Sequence, residues 1–266
     1  MRHFNTLLIY KFLFLSLSVP NSSHHILNNG ISTDCVIFGF DSDKLQVLLI
    51  ERDPGLPTDT PEYALPGDLI YNDENLDQAA TRVLKELTGL ENIYLEQLGA
   101  FGDLDRLEKE SDRAWIQSVR TNPDARVITV AYYSLVNKNA FDPSPANFAK
   151  SVVWKPFLEI NDLPFDHFRI LQESMERLKQ KLNTQPIGFN LLPEKFTLSQ
   201  LHKLYEAILG HELDKRNFRR KMINLNIVDR LNEKQKGVPH KPSNYYKFNV
   251  ENYNKLVRDG FQNFAF

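Results

Sequence analysis

Residues Asp68–Leu90 have the sequence "DLIYNDENLDQAATRVLKELTGL". From Leu76 onward, apolar side chains recur at intervals of three and four residues, which predicts a helix that buries one face. Gly89 stands where that helix is expected to stop. The stretch therefore predicts a loop, a helix and a sharp helix end, and its charged residues indicate which kind of domain contains it.

The charged residues of this stretch follow the spacing of a known motif. The stretch resembles the Nudix signature, G-x5-E-x7-R-E-U-x-E-E-x-G-U, where U is aliphatic. The matching positions are Glu74, Arg82, Leu84, Glu86, Gly89 and Leu90. In that family the glutamates hold a divalent cation that activates water for cleavage of a diphosphate. The match fails at the first glycine, which is Asp68, and at two of the glutamates, which are Val83 and Leu87.

The missing carboxylates argue against catalysis. Only Glu86 remains of the three metal-binding glutamates, and Mg²⁺ needs more than one such ligand to be held rigidly. We therefore predict no catalytic residue, no cofactor and no metal site. Glu86 as a metal ligand and Mg²⁺ as a cofactor belong only to the alternative in which the chain is a hydrolase. A compensating glutamate at Glu51, Glu62 or Glu108 stays open.

Six residues are candidates for a small-molecule pocket beside the predicted helix, since the concave surface of such a fold persists without the catalytic groups. They are Glu74, Arg82, Glu86, Asp103, Asp105 and Arg106. Each has a structural alternative. Glu74 and Arg82 could form an ion pair that ties the loop to the helix, and residues 103–106 could be an ordinary solvated turn.

The sequence around the motif predicts an α+β fold. Residues 34–53, "DCVIFGFDSDKLQVLLIERD", predict two strands joined by a polar turn. Further strands are expected at "ARVITVAYYSLV" and "VVWKPF", and a helix at "DHFRILQESMERLKQKL". Because 266 residues exceed one typical domain, we expect two. The first is a Nudix-like mixed sheet with flanking helices at residues 31–185.

The second predicted domain, at residues 186–266, has the pattern of a winged helix-turn-helix. The segment "TQPIGFNLLPEKF" separates it from the first domain. Thr197 and Asp214 are placed to cap two successive amphipathic helices, and residues 211–213 form the turn between them. A polar, Lys-rich loop and the strand-like "YYKFN" then predict a hairpin.

Positive charge collects in this second domain. Residues 188–266 contain 14 Lys+Arg against 8 Asp+Glu, although the whole chain carries a net charge of −2. A cationic helix face opposite an apolar one suits the major groove of double-stranded DNA. The predicted DNA-binding residues are Lys215, Arg216, Arg219, Arg220, Lys234, Lys236 and Lys241, with Arg230 and His240 as further candidates. The alternative is that these charges are an ordinary solvated surface.

The two domains together resemble the Nudix-related transcription regulators, which include ADP-ribose-responsive repressors and an arabinose-responsive regulator. The segments that carry the resemblance are "RVLKELTGLENIYLEQLGAFG", "VAYYSLV", "PIGFNLLPEKFTLSQLHKLYEAI" and "DKRNFRRK". The resemblance is closest to the arabinose-responsive regulator. It implies a homodimer, a DNA operator and a small-molecule effector, either a sugar such as arabinose or an ADP-ribose-like compound. The alternative function is an Mg²⁺-dependent hydrolase of nucleoside-diphosphate or ADP-sugar substrates.

The N-terminal residues 1–30 are predicted to be an extension of the first domain. The segment "MRHFNTLLIYKFLFLSLSVPNSS" resembles a weak secretory signal, but it is too short to span a membrane and its cleavage pattern is poor. An over-extended translation start is the favoured interpretation, so we expect a cytoplasmic protein with no membrane partner. Cys35, the single cysteine, lies in an apolar strand and is expected to be buried.

Overall fold

The computed structural model describes residues 26–41, 44–52, 62–106, 109–120, 122, 124–140, 143–144, 149–185, 187–239 and 241–259. The strands are β1 (Leu27–Asp41), β2 (Lys44–Glu51), β3 (Tyr63–Ala64), β4 (Gly67–Tyr71), β5 (Glu96–Phe101), β6 (Ile128–Val136), β7 (Ser151–Pro156), β8 (Val228–Lys234) and β9 (Asn244–Phe248). The α-helices are α1 (Leu76–Thr88), α2 (Glu110–Val119), α3 (His167–Thr184), α4 (Leu198–Leu209), α5 (Lys215–Asn224) and α6 (Val250–Arg258).

The first seven strands form one mixed sheet around β1. Strand β1 pairs antiparallel with β2 and β4 and parallel with β6. Strand β7 pairs antiparallel with β2, and β5 pairs antiparallel with β6. Both faces of β1 are covered, because Cys35 and Ile37 pack into one core cluster and Val36 and Phe38 pack into another. The predicted Nudix-like mixed sheet with flanking helices is confirmed.

Helix α1 covers one face of this sheet and has the ends that its sequence predicts. Asn75 accepts a hydrogen bond from Gln78 N–H, and the Gln78 side chain accepts one from Asn75 N–H, which forms a capping box. Gly89 closes the helix in the left-handed conformation with φ 71°. The buried side includes Ala80 and Leu84, which pack with the Cys35 side of β1.

The opposite face of the sheet packs against α3 and continues into the C-terminal domain. Ile170 and Leu178 of α3, Leu201 and Leu204 of α4, and Phe218 of α5 belong to one buried cluster that also contains Val36 of β1. Helix α3 contacts both α4 and the sheet. A change at the sheet therefore has a packed route to the helix-turn-helix.

The C-terminal domain is a winged helix, as the sequence predicts. Thr197 and Gln200 form a capping box at α4, and Asp214 accepts a hydrogen bond from Asn217 N–H at the start of α5. Strands β8 and β9 pair antiparallel as the wing. Phe196 adds a single bridge to Tyr246 of β9.

Three features differ from the sequence-based expectation. Strand β1 begins at Leu27 rather than near Ile31, and Leu27 is the register partner of Tyr71. Helices α2 and α6 were not predicted. Residues 1–25 of the expected extension lie outside the described residues. Within the part of the chain that the structure describes, no helix is long and apolar enough to cross a membrane.

Candidate ligand site and nucleic-acid interface

Arg82 of α1 forms ion pairs with the other two charged residues that match the Nudix motif, Glu74 and Glu86. Its Nη2 lies 2.6 Å from Glu74 Oε1, and its Nη1 lies 3.0 Å from Glu86 Oε2. Nη2 also donates to the Leu69 carbonyl at 2.9 Å, and the guanidinium lies 3.9 Å from the centre of the Tyr71 ring. The ion pair expected as the structural alternative is therefore present, and it ties α1 to β4.

Val83 and Leu87 lie in the protein core. Their side chains are 0% and 1% exposed and pack with Ile50, Ala64 and Ala149. They contribute to the contact between α1 and the sheet, where a carboxylate would be desolvated. The substitution of aliphatic residues for glutamates therefore stabilises the fold at the position where the Nudix signature places metal ligands.

The described residues contain no group of three or more His, Cys, Asp or Glu side chains arranged to hold a metal ion. Of the glutamates considered as replacements, Glu51 accepts hydrogen bonds from Lys150 and Ser151. Glu62 is exposed, and Glu108 lies outside the described residues. Glu86 is paired with Arg82.

Arg106 lies in a buried charged cluster, which we call the Asp34 cluster: Asp34, Arg106, Asp166 and His167. Arg106 Nη2 is 2.9 Å from Asp166 Oδ1 and 3.7 Å from Asp34 Oδ2. His167 Nε2 is 3.3 Å from Asp34 Oδ1. The cluster joins β1, the loop after β5 and the first turn of α3.

Hydrogen bonding orients His167 within the Asp34 cluster. The Leu65 N–H donates to His167 Nδ1 at 3.1 Å, so the ring proton is on Nε2, which faces Asp34. Gly67 completes this arrangement, because a Cβ atom there would lie 1.8 Å from Asp34 Oδ1. Any other residue at this position would displace the carboxylate.

A second buried pair holds the turn that precedes α3. Arg52 Nη1 lies 3.9 Å from Asp112 Oδ1, and both side chains are almost fully buried. The other Asp112 oxygen accepts a hydrogen bond from Phe165 N–H at 2.7 Å. Phe165 has φ 56°, an unusual value for a residue with a large side chain. Helix α2 therefore helps to position the start of α3.

Asp68 interacts electrostatically with Arg82 and Arg120, and Arg120 interacts with Asp68, Asp34 and Arg106. Burial raises the pKa of the half-buried Asp68, against the lowering effects of the Leu69 N–H, Arg82 and Arg120. Burial lowers the pKa of Arg120, against the raising effects of Asp68 and Asp34. The Arg120 guanidinium has no hydrogen bond to any residue that the structure describes. It is thus a partly buried cation without a hydrogen-bonded counterion.

The six predicted pocket residues are not all together. Glu74, Arg82 and Glu86 form one group, and Arg106 belongs to the Asp34 cluster. Asp103 and Asp105 are exposed, and Asp103 pairs with Arg169 of α3. The sequence did not single out Asp34, Arg120 or His167, because they are far apart in the chain and come near each other only through strand pairing and helix packing.

The predicted DNA-binding helix presents its charges to solvent. Lys215, Arg216, Arg219 and Arg220 are exposed on α5, whereas Phe218 and Met222 are buried behind them. Arg219 Nη2 lies 3.3 Å from Ser199 Oγ of α4. Arg220 Nη2 donates to Asn217 Oδ1 at 3.0 Å. These two bonds restrict the arginine side chains before any ligand is bound.

The wing carries the remaining predicted cations. Lys234, Lys236 and Lys241 are exposed, and Arg230 donates to Asn244 Oδ1 across the hairpin at 3.2 Å. Lys195 before α4 pairs with Glu233 of β8 at 2.8 Å, which connects the wing to the helix-turn-helix. His240 lies outside the described residues.

Comparison with known proteins gives the same two-domain organisation. A family profile described as the NrtR DNA-binding winged helix domain matches residues 188–248. The ADPR-responsive transcriptional repressor NtrR of Acinetobacter baylyi is 33% identical over 230 residues, which cover 84% of this chain and 83% of that protein.

Two crystal structures of Shewanella oneidensis NrtR are similar over most of the chain. The complex with a 27mer DNA is 26% identical, with a TM-score of 0.62, and covers 84% of this chain and 95% of that one. A second crystal structure of the same protein is 27% identical, with a TM-score of 0.61, and the match covers 82% of this chain and 94% of that one.

These matches correct one prediction. A closest resemblance to the arabinose-responsive regulator is not supported, because the similar protein from Acinetobacter is a repressor that responds to ADP-ribose. The segments that suggested arabinose lie in α1, β5, β6, α4 and α5, which belong to the core and to the helix-turn-helix. Such segments report the shared architecture and carry no information about the effector. The chain belongs to the NrtR family of ligand-responsive, DNA-binding transcription regulators, with a Nudix-fold domain followed by a winged helix.

Proposed function

We propose that this protein is a transcriptional repressor whose affinity for its operator is changed by ADP-ribose bound in the Nudix-fold domain. The observation that carries the proposal is the 33% identity to an ADP-ribose-responsive repressor over 84% of this chain. The burial of Val83 and Leu87 supports it, because a sensor has to hold its ligand without cleaving it. A homodimer on two half-sites and a cytoplasmic location stay predictions.

Arg120 is the residue that we assign to the diphosphate of the effector. Its side chain is cationic, only partly buried and without a hydrogen bond to the described residues. It interacts electrostatically with Asp68 and Asp34. Planar guanidinium groups suit phosphate oxygens because they donate two parallel hydrogen bonds. An arginine would thus supply the positive charge that Mg²⁺ supplies in a Nudix hydrolase.

Coupling between the two domains requires that ADP-ribose binds one arrangement of the protein more tightly than another. Two residues of the Asp34 cluster, Asp166 and His167, lie at the start of α3, and α3 packs against α4 of the winged helix. A ligand that draws Arg106 or Arg120 away from Asp34 would alter the start of α3. That change would reach the helix-turn-helix through the shared core.

The test is a gel-retardation titration of the full chain on an operator duplex with ADP-ribose, L-arabinose or neither. We expect ADP-ribose to shift the apparent Kd by roughly 5- to 150-fold, the usual range of allosteric coupling, and arabinose to leave it unchanged. A response to arabinose alone, or none to ADP-ribose, would contradict the proposal. Brisk Mg²⁺-dependent release of AMP from ADP-ribose would favour the hydrolase.

A matched pair of variants tests the role of Arg120. Arg120→Ala should bind the operator like the wild type but lose the ADP-ribose response. Arg126→Ala removes an exposed arginine from the same loop and should keep that response. An Arg120→Ala protein with an unchanged ADP-ribose response would remove Arg120 from the site while leaving the proposed function intact.

A further inference from the structure

Ile223 lies at the C-terminal end of the cationic face of α5. Phe218 and Met222 point into the core, and at 100° per residue the opposite direction falls at Arg220, with Arg216 about 40° away. Ile223 follows Arg216 by seven residues and therefore lies on the same side of the helix, about two turns further along it. Around the helix axis it is about 60° from Arg220. Its side chain is 52% exposed.

Ile223 is not part of the buried cluster that contains Phe218 and Met222 of the same helix. Single exposed apolar residues are common on protein surfaces and usually need no explanation. Ile223 differs because it continues the stripe of Arg216 and Arg220 toward the end of the helix, on the face that is predicted to bind DNA. Val250 is equally exposed, at 55%, but it begins α6 and is not on this face.

We propose that Ile223 is a specificity-determining residue that contacts the C5-methyl group of a thymine in the operator. The thymine methyl is the apolar group that a base pair presents in the major groove, so it is the natural partner of an aliphatic side chain. Arg216 and Arg220, which lie about two turns and one turn earlier in α5, would each bond a guanine edge or a phosphate. Each half-site would then contain a thymine next to the positions contacted by arginine.

This inference rests on the proposed DNA binding and adds a base preference to it. Its chemistry separates it from the charge interactions. Arginine contacts to phosphate weaken as salt rises, whereas an apolar contact with a methyl group does not depend on ionic strength in that way. The contribution of Ile223 should therefore persist at salt concentrations that reduce overall affinity.

The experiment removes the methyl group from the DNA and the side chain from the protein. An operator is selected from random duplexes with the full-length wild-type chain, and each thymine is then replaced in turn by deoxyuridine, which lacks only the methyl. For the wild type we expect one position in each half-site at which the change weakens binding about fourfold, the value of one buried methyl-sized group.

Ile223→Ala should bind the thymine operator about fourfold more weakly and show no further loss with deoxyuridine at that position. Val250→Ala is the matched control and should respond to deoxyuridine like the wild type. Circular dichroism melting checks that both variants are folded, and Ile223→Val provides a second, more conservative variant that should keep part of the methyl response.

The outcomes separate the two proposals. Additive losses from Ile223→Ala and deoxyuridine at every position would overturn the assignment of Ile223 while the protein still binds DNA. The assignment would also be overturned if no deoxyuridine replacement weakened binding by the wild type. Failure of the wild type to select or retard any duplex at low ionic strength would overturn the proposed DNA binding, and this inference with it.

Discussion

His167, the first residue of α3, holds Asp34 in the centre of β1, with 3.3 Å between His167 Nε2 and Asp34 Oδ1. The contact joins a helix that packs on the winged helix to the central strand of the Nudix-fold sheet. Since both side chains are buried, the contact is shielded from solvent and salt. It is therefore expected to matter for stability as well as for communication between the domains.

The loss of folding stability at acid pH should depend on Asp34. Burial alone would raise its pKa, but His167 and Arg106 outweigh burial and lower the pKa from 3.8 to about 2. A carboxylate with a lowered folded pKa adds stability above its unfolded pKa, and that stability is lost as the pH falls toward the folded value. We expect this group to contribute about 2 kcal/mol that disappears between roughly pH 4 and pH 2.

Urea unfolding at a series of pH values checks this. Asp34→Asn should be less stable at neutral pH and lose less stability between roughly pH 4 and pH 2 than the wild type does. Asp105→Asn changes an exposed carboxylate and serves as the control. If the free energy of unfolding falls equally with pH in Asp34→Asn and in the wild type, Asp34 is not the group responsible.

Removal of Arg82 should destabilise the Nudix-fold domain. Arg82→Ala leaves the mostly buried Glu74 without its partner and the Leu69 carbonyl without a donor, so we expect a loss of about 2–3 kcal/mol in the free energy of unfolding. Chemical denaturation measures it. Lys85→Ala breaks a solvent-exposed pair with Glu91 and should cost no more than about 1 kcal/mol. Equal losses for the two variants would contradict a structural role for Arg82.

Restoring the Nudix glutamates should damage the fold and fail to create an enzyme. Val83→Glu or Leu87→Glu would place an unpaired carboxylate in the core, with an expected loss of at least about 3 kcal/mol. Thr81→Glu adds the same charge on the exposed face of α1 and should be nearly neutral. Thermal melting and Mg²⁺-dependent AMP release are the measurements. A stable Val83→Glu protein that hydrolyses ADP-ribose would place this position in the pocket.

Arg219 and Arg220 should carry a large share of operator affinity. Replacement of either by alanine is expected to weaken binding by about 1–3 kcal/mol if the side chain contacts a base edge. Fluorescence anisotropy at several salt concentrations measures the affinity and its salt slope. Lys85→Ala, a loss of equal charge in the first domain, is the control. Wild-type affinity in both arginine variants, or affinity that ignores salt, would exclude α5 as the recognition helix.

Local features of the chain could be predicted from the sequence because their causes are local. The ends of α1, α4 and α5 follow from Gly89, Thr197 and Asp214, each of which forms its cap with residues a few positions away. The α1 helix period and the cationic face of α5 likewise depend on spacing within one element. The pair of Glu74 and Arg82 spans one loop and the first two turns of α1, so it also could be anticipated.

The Asp34 cluster could not be predicted, because its members come from distant parts of the chain. Arg106 appeared to belong to a solvated turn, yet it is buried between Asp34 and Asp166. Arg120 follows α2, a helix that was not predicted from the sequence. The sequence left the effector open between a sugar and an ADP-ribose-like compound, since the segments that suggested arabinose belong to the core and to the helix-turn-helix.

The sequence by itself determined the two-domain architecture, the loss of the metal carboxylates and the basic helix-turn-helix, since periodicity, caps and net charge act over short distances. Tertiary structure alone decided that Arg106 is buried and that Ile223 is exposed at the end of the cationic face. The reason is that strand pairing and helix packing, which bring remote residues together, determine which side chains lose their water.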